Sequence, residues 1–283
     1  MTDASRYFQE IDPTDDSAHS RVLRAIGRAG RVLELGPGPG HVTELLAAAG
    51  NDVTCVELDA GAAASARRFA TRVEVADLDV TDLTTLLAGE IFDALSAADV
   101  LEHLRHPHRT LHQAASLVRP GGTVVVSLPN VAHVDIRLAL LHGRWDYKEH
   151  GLLDLTHLRF FTRASAVRLL HAVGLEITGI DTVEWAPFTT NLGASPTDVP
   201  ADVLDRILAD PDATTLQFVL MATVPAGGLP PAPPGLEAAA LCTHGVYGEF
   251  AGLPPAPAAP PAPAAPTATT AATSRRRFRR GGS

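Results

Sequence analysis

The chain of 283 residues is long enough for one large domain or two small ones, and its 46% hydrophobic and 19% charged composition is that of a soluble globular protein. A formal net charge of -9 weighs against a nucleic-acid partner, which would want a basic face. No uninterrupted apolar run of about 18 residues is present to span a membrane, and the acidic start MTDASRYFQEIDPTDD is the wrong chemistry for a secretory signal, so a cytoplasmic location is expected.

Ahead of the first strand, SRVLRAIGRAG (20–30) is expected to be helical. RVLEL (31–35) is a short apolar run ending at glycine, and HVTELLAAAG (41–50) has helical spacing with a glycine stop. DVTCVEL (52–58), RVEVAD (72–77), FDALSA (92–97) and TVVVSLP (123–129) read as further strands. Between them GAAASARRFA, TDLTTLLAG and HRTLHQAASLVRPGG read as helices. TRASAVRLLHAVG, after Phe161, is a capped amphipathic helix, and LEITGIDTV and TLQFVLMATV would close the sheet. This alternation predicts an α/β fold, a doubly wound parallel sheet with right-handed crossovers.

Composition breaks near Pro225. Residues 226–283 are rich in proline and alanine, unable to bury enough apolar surface to order themselves, and are expected to be a largely disordered tail. Within them LEAAALCTHGVYGEF (236–250) is apolar enough to dock, and the arginines from Arg275 to Arg280 read as a solvated charge run. The tail holds five arginines and two glutamates, which leaves 18 basic and 30 acidic residues in the first 225. Cys55 and Cys242 define neither a disulfide framework nor a metal knuckle, and Cys55 is expected to be a buried strand residue.

The most informative stretch is LELGPGPGHVTELLAAAGNDVTCVELD (33–59). A glycine turn between a strand and a helix lets backbone approach a ligand at the positive end of the helix. The phosphate-loop pattern GxxxxGK[ST] is absent, and the dinucleotide pattern GxGxxG is out of register, with His41 after Gly40. What remains is E-x-G-x-G-x-G, formed by Glu34, Gly36, Gly38 and Gly40. Pro37 and Pro39 stiffen the turn and remove amides only at alternate positions, so the glycine amides are expected to stay available to a ligand.

VLELGPGPG, then Glu57 ending the second strand, Asp77 after VEVA, FDALSAADVLEHL and RPGGTVVVSLPN together resemble a class I S-adenosylmethionine-dependent methyltransferase, over roughly residues 20–185. The resemblance implies a Rossmann-like, mostly parallel seven-stranded sheet with helices on both faces. It implies a methyltransferase domain over residues 1–225, with a helical cap at 1–30 and an acceptor-binding insertion at 131–160. Gly36, Gly38 and Gly40 would pass under the methionine part of the cofactor, with Glu34 near its amino group. Glu57 would take the ribose hydroxyls, Asp77 the adenine amino group, and Leu78 would cover the ring. Asp99 would join them at the rim of the fourth strand.

Asp99, Glu102 and His103 share one face of a helical turn and are expected to converge. His103 is then a candidate general base. The alternative is a divalent metal site of Asp99, Glu102 and His103 that lowers an acceptor hydroxyl's pKa; metal-dependent relatives carry Glu-x-x-Glu-His, and the aspartate here shortens the reach. RWDYKEHGLLDLTHLRFFT (144–162) follows the fifth strand, and its Trp145, Tyr147, Asp154, His157 and Arg159 suit a polar, hydroxylated acceptor. DLTHLRFFT resembles a subgroup associated with sugar, polysaccharide and natural-product biosynthesis. His157 is a second catalytic candidate and His133 a further acceptor or metal contact, whereas the histidines of HPHRTLH (106–112) read as solvated and the Phe160–Phe161 pair as core.

The expected reaction is methyl transfer to a hydroxyl, less so an amine, of a small polar metabolite, with a homodimer compatible. Its rivals are an RNA or protein methyltransferase anchored by the arginine tail and a non-catalytic partner subunit. The acidic body weighs against the first, and the intact glycine turn and Glu57 against the second.

Overall fold

Ser17 starts the described fold by accepting the Ser20 amide with its hydroxyl at 3.2 Å, which caps the helix α1 (Ala18–Ile26). The computed structural model describes residues 15–232. In chain order there follow β1 (Arg31–Leu35), α2 (His41–Ala48), β2 (Asp52–Glu57), α3 (Ala60–Ala66), β3 (Arg72–Val75), α4 (Leu83–Leu86) and β4 (Phe92–Ala98). A 3-10 turn (Leu101–His103) leads to α5 (Pro107–Ser116), β5 (Val118–Pro129), α6 (Val134–Leu141), α7 (Arg163–Ala172), β6 (Glu176–Glu184), α8 (Ala201–Leu208) and β7 (Thr215–Thr223).

The strands form one seven-stranded sheet in the order β3-β2-β1-β4-β5-β7-β6. The first five pair in parallel, and β7 runs antiparallel to both β5 and β6. The expected mostly parallel, doubly wound sheet is therefore present. Central strands are covered on both faces, which is why β1 reads as an almost unbroken apolar run. Successive residues serve opposite layers: Leu33, Leu35, Val124 and Val126 join one core cluster, Val32 and Val125 the other.

Two elements depart from the expectations. The string HRTLHQAASLVRPGG does not stay helical: α5 ends at Ser116 and β5 begins at Val118. Its Pro120-Gly121-Gly122 lies opposite a register shift between Phe92 and Ala94, the irregular strand start that tolerates proline. No element is expected between β6 and β7, yet α8 lies there. Leu204 and Ile207 of α8 pack with Val134 and Leu138 of α6, which joins two segments, one after β5 and one after β6. The described residues run past Pro225: Leu229 packs on the core and the Pro230 carbonyl lies 2.9 Å from His112 Nε2. The 236–250 stretch and the arginine cluster lie outside the described residues. Among the described residues no helix is long and apolar enough to cross a membrane.

Asn51 ties the links on either side of β1. Its Oδ1 accepts from the Ala29 and Gly30 amides at 2.8 and 3.0 Å, and its Nδ2 donates to the Gly27 and Leu46 carbonyls, both at 2.9 Å. Asn51→Ala would leave the part-buried Gly27 carbonyl and Ala29 and Gly30 amides without these bonds and should cost about 2–4 kcal/mol. At this size that lowers Tm by roughly 5–15 °C, read by calorimetric melting.

Glu34, on β1, is 3% exposed, with Oε2 accepting from Thr43 Oγ1 at 2.7 Å and Cys55 Sγ at 3.5 Å. Burial pushes its pKa up from 4.5 to about 7, with the Glu57 charge adding and the Thr43 and Cys55 bonds opposing. Because the folded carboxyl holds its proton longer than the unfolded one, raising pH from about 4.5 to about 7 favours unfolding. Over that window wild type should lose on the order of 3 kcal/mol relative to Glu34→Gln. Denaturant titrations of both proteins at pH 5 and 8 read the difference, and parallel stability curves would refute it.

Candidate active site

The site residues stand at the carboxyl ends of adjacent parallel strands, where ligands of open α/β sheets bind. Gly36, Gly38 and Gly40 follow β1 with φ of 59°, 54° and 98°, a region that side chains resist. Their amides are not left for a ligand, contrary to expectation. Gly36 N donates to the Val56 carbonyl at 2.9 Å, Gly38 N to Glu57 Oε2 at 2.9 Å and Gly40 N to the Pro37 carbonyl at 3.0 Å.

What the glycines provide is bare backbone. A Cβ on Gly36 would come 2.7 Å from Val100 Cγ2 and one on Gly40 2.8 Å from Ala66 Cα, so these two are fixed by packing. A Cβ on Gly38 would meet nothing within 4 Å. That open cradle, beside a carboxylate, fits the methionine and ribose parts of S-adenosylmethionine. Glu57 is 8% exposed and takes the Asp59 amide on Oε1 at 2.8 Å as well as Gly38 on Oε2. Glu34 lies behind this turn, its carboxyl engaged with Thr43 and Cys55 rather than presented at the rim. Burial raises the Cys55 thiol's pKa, which keeps it neutral and unreactive.

Asp77 is exposed after β3 and accepts the Asp79 amide at 2.8 Å. Leu78 does not project as a cover: its side chain is 7% exposed within the core, and its carbonyl accepts from Arg109 and Thr110. Asp99 follows β4 at φ 53°, a strained conformation for a residue with a Cβ. Its carboxylate accepts from Ser127 Oγ at 2.7 Å and from Gln217 Nε2 at 2.9 and 3.0 Å, and His19 Nε2 of α1 lies 3.6 Å away. These three partners were missed from sequence. Only Ser127 and Gln217 left a signal, as polar residues inside the apolar runs VVVSLP and TLQFVLM.

The left-handed Asp99 also breaks the expected convergence. The helical turn begins only at Leu101, so the donor set is Glu102, His103 and His157, one ligand atom of each within 4.8 Å of the others. Asp99 is not among them, and the expected Asp99–Glu102–His103 set gives way to one that could hold a cation with His157. Glu102 is 1% exposed, and its Oε2 has no hydrogen-bond partner among the described residues. Burial, then the charges of Asp99 and Asp154, push its carboxyl well above the usual range.

The turn and the segment after β5 are stitched together. The Glu102 carbonyl accepts from Leu158 N at 2.8 Å and Arg159 N at 2.9 Å, while the His103 and His157 rings meet edge to face at 4.8 Å. His157 is 8% exposed and its Nδ1 lies 3.3 Å from the Leu152 carbonyl; burial lowers its pKa. It backs His103 from inside. His103 itself is half-buried.

Two histidine expectations are overturned. His133 is fully buried, caps α6 by accepting the Asp135 amide on Nδ1 at 3.2 Å, and has Nε2 3.4 Å from the Trp185 carbonyl, so both nitrogens serve structure. His108 is 5% exposed rather than solvated, and burial brings its pKa down to about 4. Phe161 is core as expected, and Phe160 stacks edge-on with Trp145 at 5.0 Å.

A family model described as a methyltransferase domain matches residues 8–180. Over 194 residues, 66% of this chain, the protein is 31% identical to the ubiquinone biosynthesis O-methyltransferase of Aromatoleum aromaticum and covers 82% of it. The protein of the same name from Bordetella avium is 28% identical over 163 residues, 56% of this chain and 67% of that one. In fold, the chain is similar to a SAM-dependent methyltransferase from Archaeoglobus fulgidus, with a TM-score of 0.51, 19% identity, and coverage of 72% of this chain and 92% of that one. The matched region takes in the glycine turn and all five parallel strands, and the chain belongs to the class I S-adenosylmethionine-dependent methyltransferases.

Proposed function

We propose that the protein methylates a hydroxyl oxygen of a small polar metabolite, a sugar or a natural-product intermediate, with His103 as the general base. The observation that carries this reading is the junction at Glu102, which sets the half-buried His103 imidazole between the end of β4 and the polar segment after β5. When bound, S-adenosylmethionine supplies a methyl group on a sulfonium, whose thioether leaves without a proton. The protein's part is to align the acceptor oxygen and take its proton. In this reading Gly38 underlies the methionine part, Glu57 holds the ribose hydroxyls and Asp77 the adenine amino group. Asp99, clamped by Ser127 and Gln217, borders the acceptor.

The similarity to ubiquinone biosynthesis O-methyltransferases favours a second acceptor class, a hydroxyl of an intermediate of ubiquinone biosynthesis. A cation held by Glu102, His103 and His157 is the competing way to ease loss of the hydroxyl proton. The acidic body continues to weigh against RNA.

Calorimetric titration with S-adenosylhomocysteine should show micromolar binding that Glu57→Ala weakens at least about tenfold, or ~1.4 kcal/mol. Glu57→Gln, which can still accept from Gly38, should fall between the two. No heat and no thermal shift for wild type would sink the cofactor assignments. With a labelled methyl donor and a panel of sugars and catechols, His103→Gln should lower transfer by about 100- to 10,000-fold while cofactor affinity holds. Activity that disappears with a chelator would replace the base by a metal.

A further inference from the structure

We propose that Thr156 and Asp154 are positioning residues that hold His103 in the tautomer protonated at Nδ1, which leaves the basic lone pair on Nε2. This rests on the reading of His103 as the general base. The hydrogen-bond polarity can be followed atom by atom. Thr156 Oγ1 donates its one proton to Asp154 Oδ1 at 2.6 Å. Its lone pairs are then what it offers His103 Nδ1, 3.0 Å away, so that nitrogen must be the donor. The Thr156 carbonyl, which can only accept, lies 3.3 Å from the same Nδ1 and demands the same proton.

Asp154 is 4% exposed and also takes the Thr156 amide at 2.8 Å, which fixes the hydroxyl's direction through a tight local turn. Behind the ring stands His157, edge to face at 4.8 Å, limiting its rotation.

The arrangement opposes the imidazole's own preference, since in water the neutral side chain favours its proton on Nε2. Which ring nitrogen is basic is set by the bond the other one makes. Here that bond comes from the segment after β5, so the residues that order the acceptor side also choose the basic atom. Asp154 and Thr156 need never touch substrate.

The test is nitrogen NMR of the imidazoles in the full chain, with His103 assigned by its loss in His103→Gln. Wild type should show a protonated Nδ1 and an Nε2 without a proton. Thr156→Val should raise the Nε2–H population several-fold, and Thr156→Ala should do the same without the bulk of the second methyl. Thr156→Ser should restore the wild-type pattern. Titration with S-adenosylhomocysteine should give the same affinity in all four proteins and reports that each is folded. A wild-type His103 protonated on Nε2, or a folded hydroxyl-less variant with the wild-type pattern, overturns the proposal. If the tautomer is as described but His103→Gln leaves methyl transfer unchanged, the role of base fails instead, and the two failures are told apart.

Discussion

One backbone carbonyl, that of Glu102, accepts two successive amides, Leu158 and Arg159, and the placement of the stretch between α6 and α7 hangs on it. The 3-10 turn after β4 is too short to hold itself rigid, and the stretch between α6 and α7 has little regular structure to hold it in place. Joined, they order each other. The joint brings His157 against His103 and Thr156 to the ring's Nδ1. Asn130 anchors the same segment from the strand side, through its paired backbone with Phe161 and side-chain bonds to the Asp212 and Thr215 carbonyls. The 185–214 segment is held in turn by Asp135, which accepts the Phe188 and Thr190 amides.

The end of β4 is shaped by strain with a visible counterweight. Asp99 in the left-handed region costs of order 1–3 kcal/mol, and such residues persist where surroundings over-determine them. Ser127 from β5 and Gln217 from β7 do this by filling both carboxylate oxygens. The kink sends Asp99 toward α1 and His19, while the following turn sends Glu102 and His103 toward the segment after β5. Two polar clusters thus leave one strand end in different directions.

The sheet was legible in the sequence because its strands are short apolar runs set between helix-patterned stretches, and β1 to β4 fall within two residues of the runs read as strands. The glycine turn and Glu57 were legible for the same reason: their chemistry is local. The grouping of Asp99 with Glu102 and His103 was not, because helical spacing assumes a regular backbone and one positive φ at Asp99 cancels it. His133 looks like an acceptor or metal contact and His108 like a surface histidine until partners distant in sequence bury them, and His19 is an ordinary helix residue until α1 lies over the sheet. α8 escaped although Val203, Leu204, Ile207 and Leu208 recur at helical spacing, because eight residues make a short element whose apolar face is only partly covered.

The internally bonded glycine turn has a consequence for how ligands come and go. With Val56, Glu57 and Pro37 already occupying its amides, the loop has its shape before anything binds. No ordering entropy is charged against the incoming molecule at this end of the site, and none is returned when it leaves. In the proposed reading, cosubstrate and product exchange across a preformed template, and discrimination between them falls to the groups that meet the methyl group by which they differ.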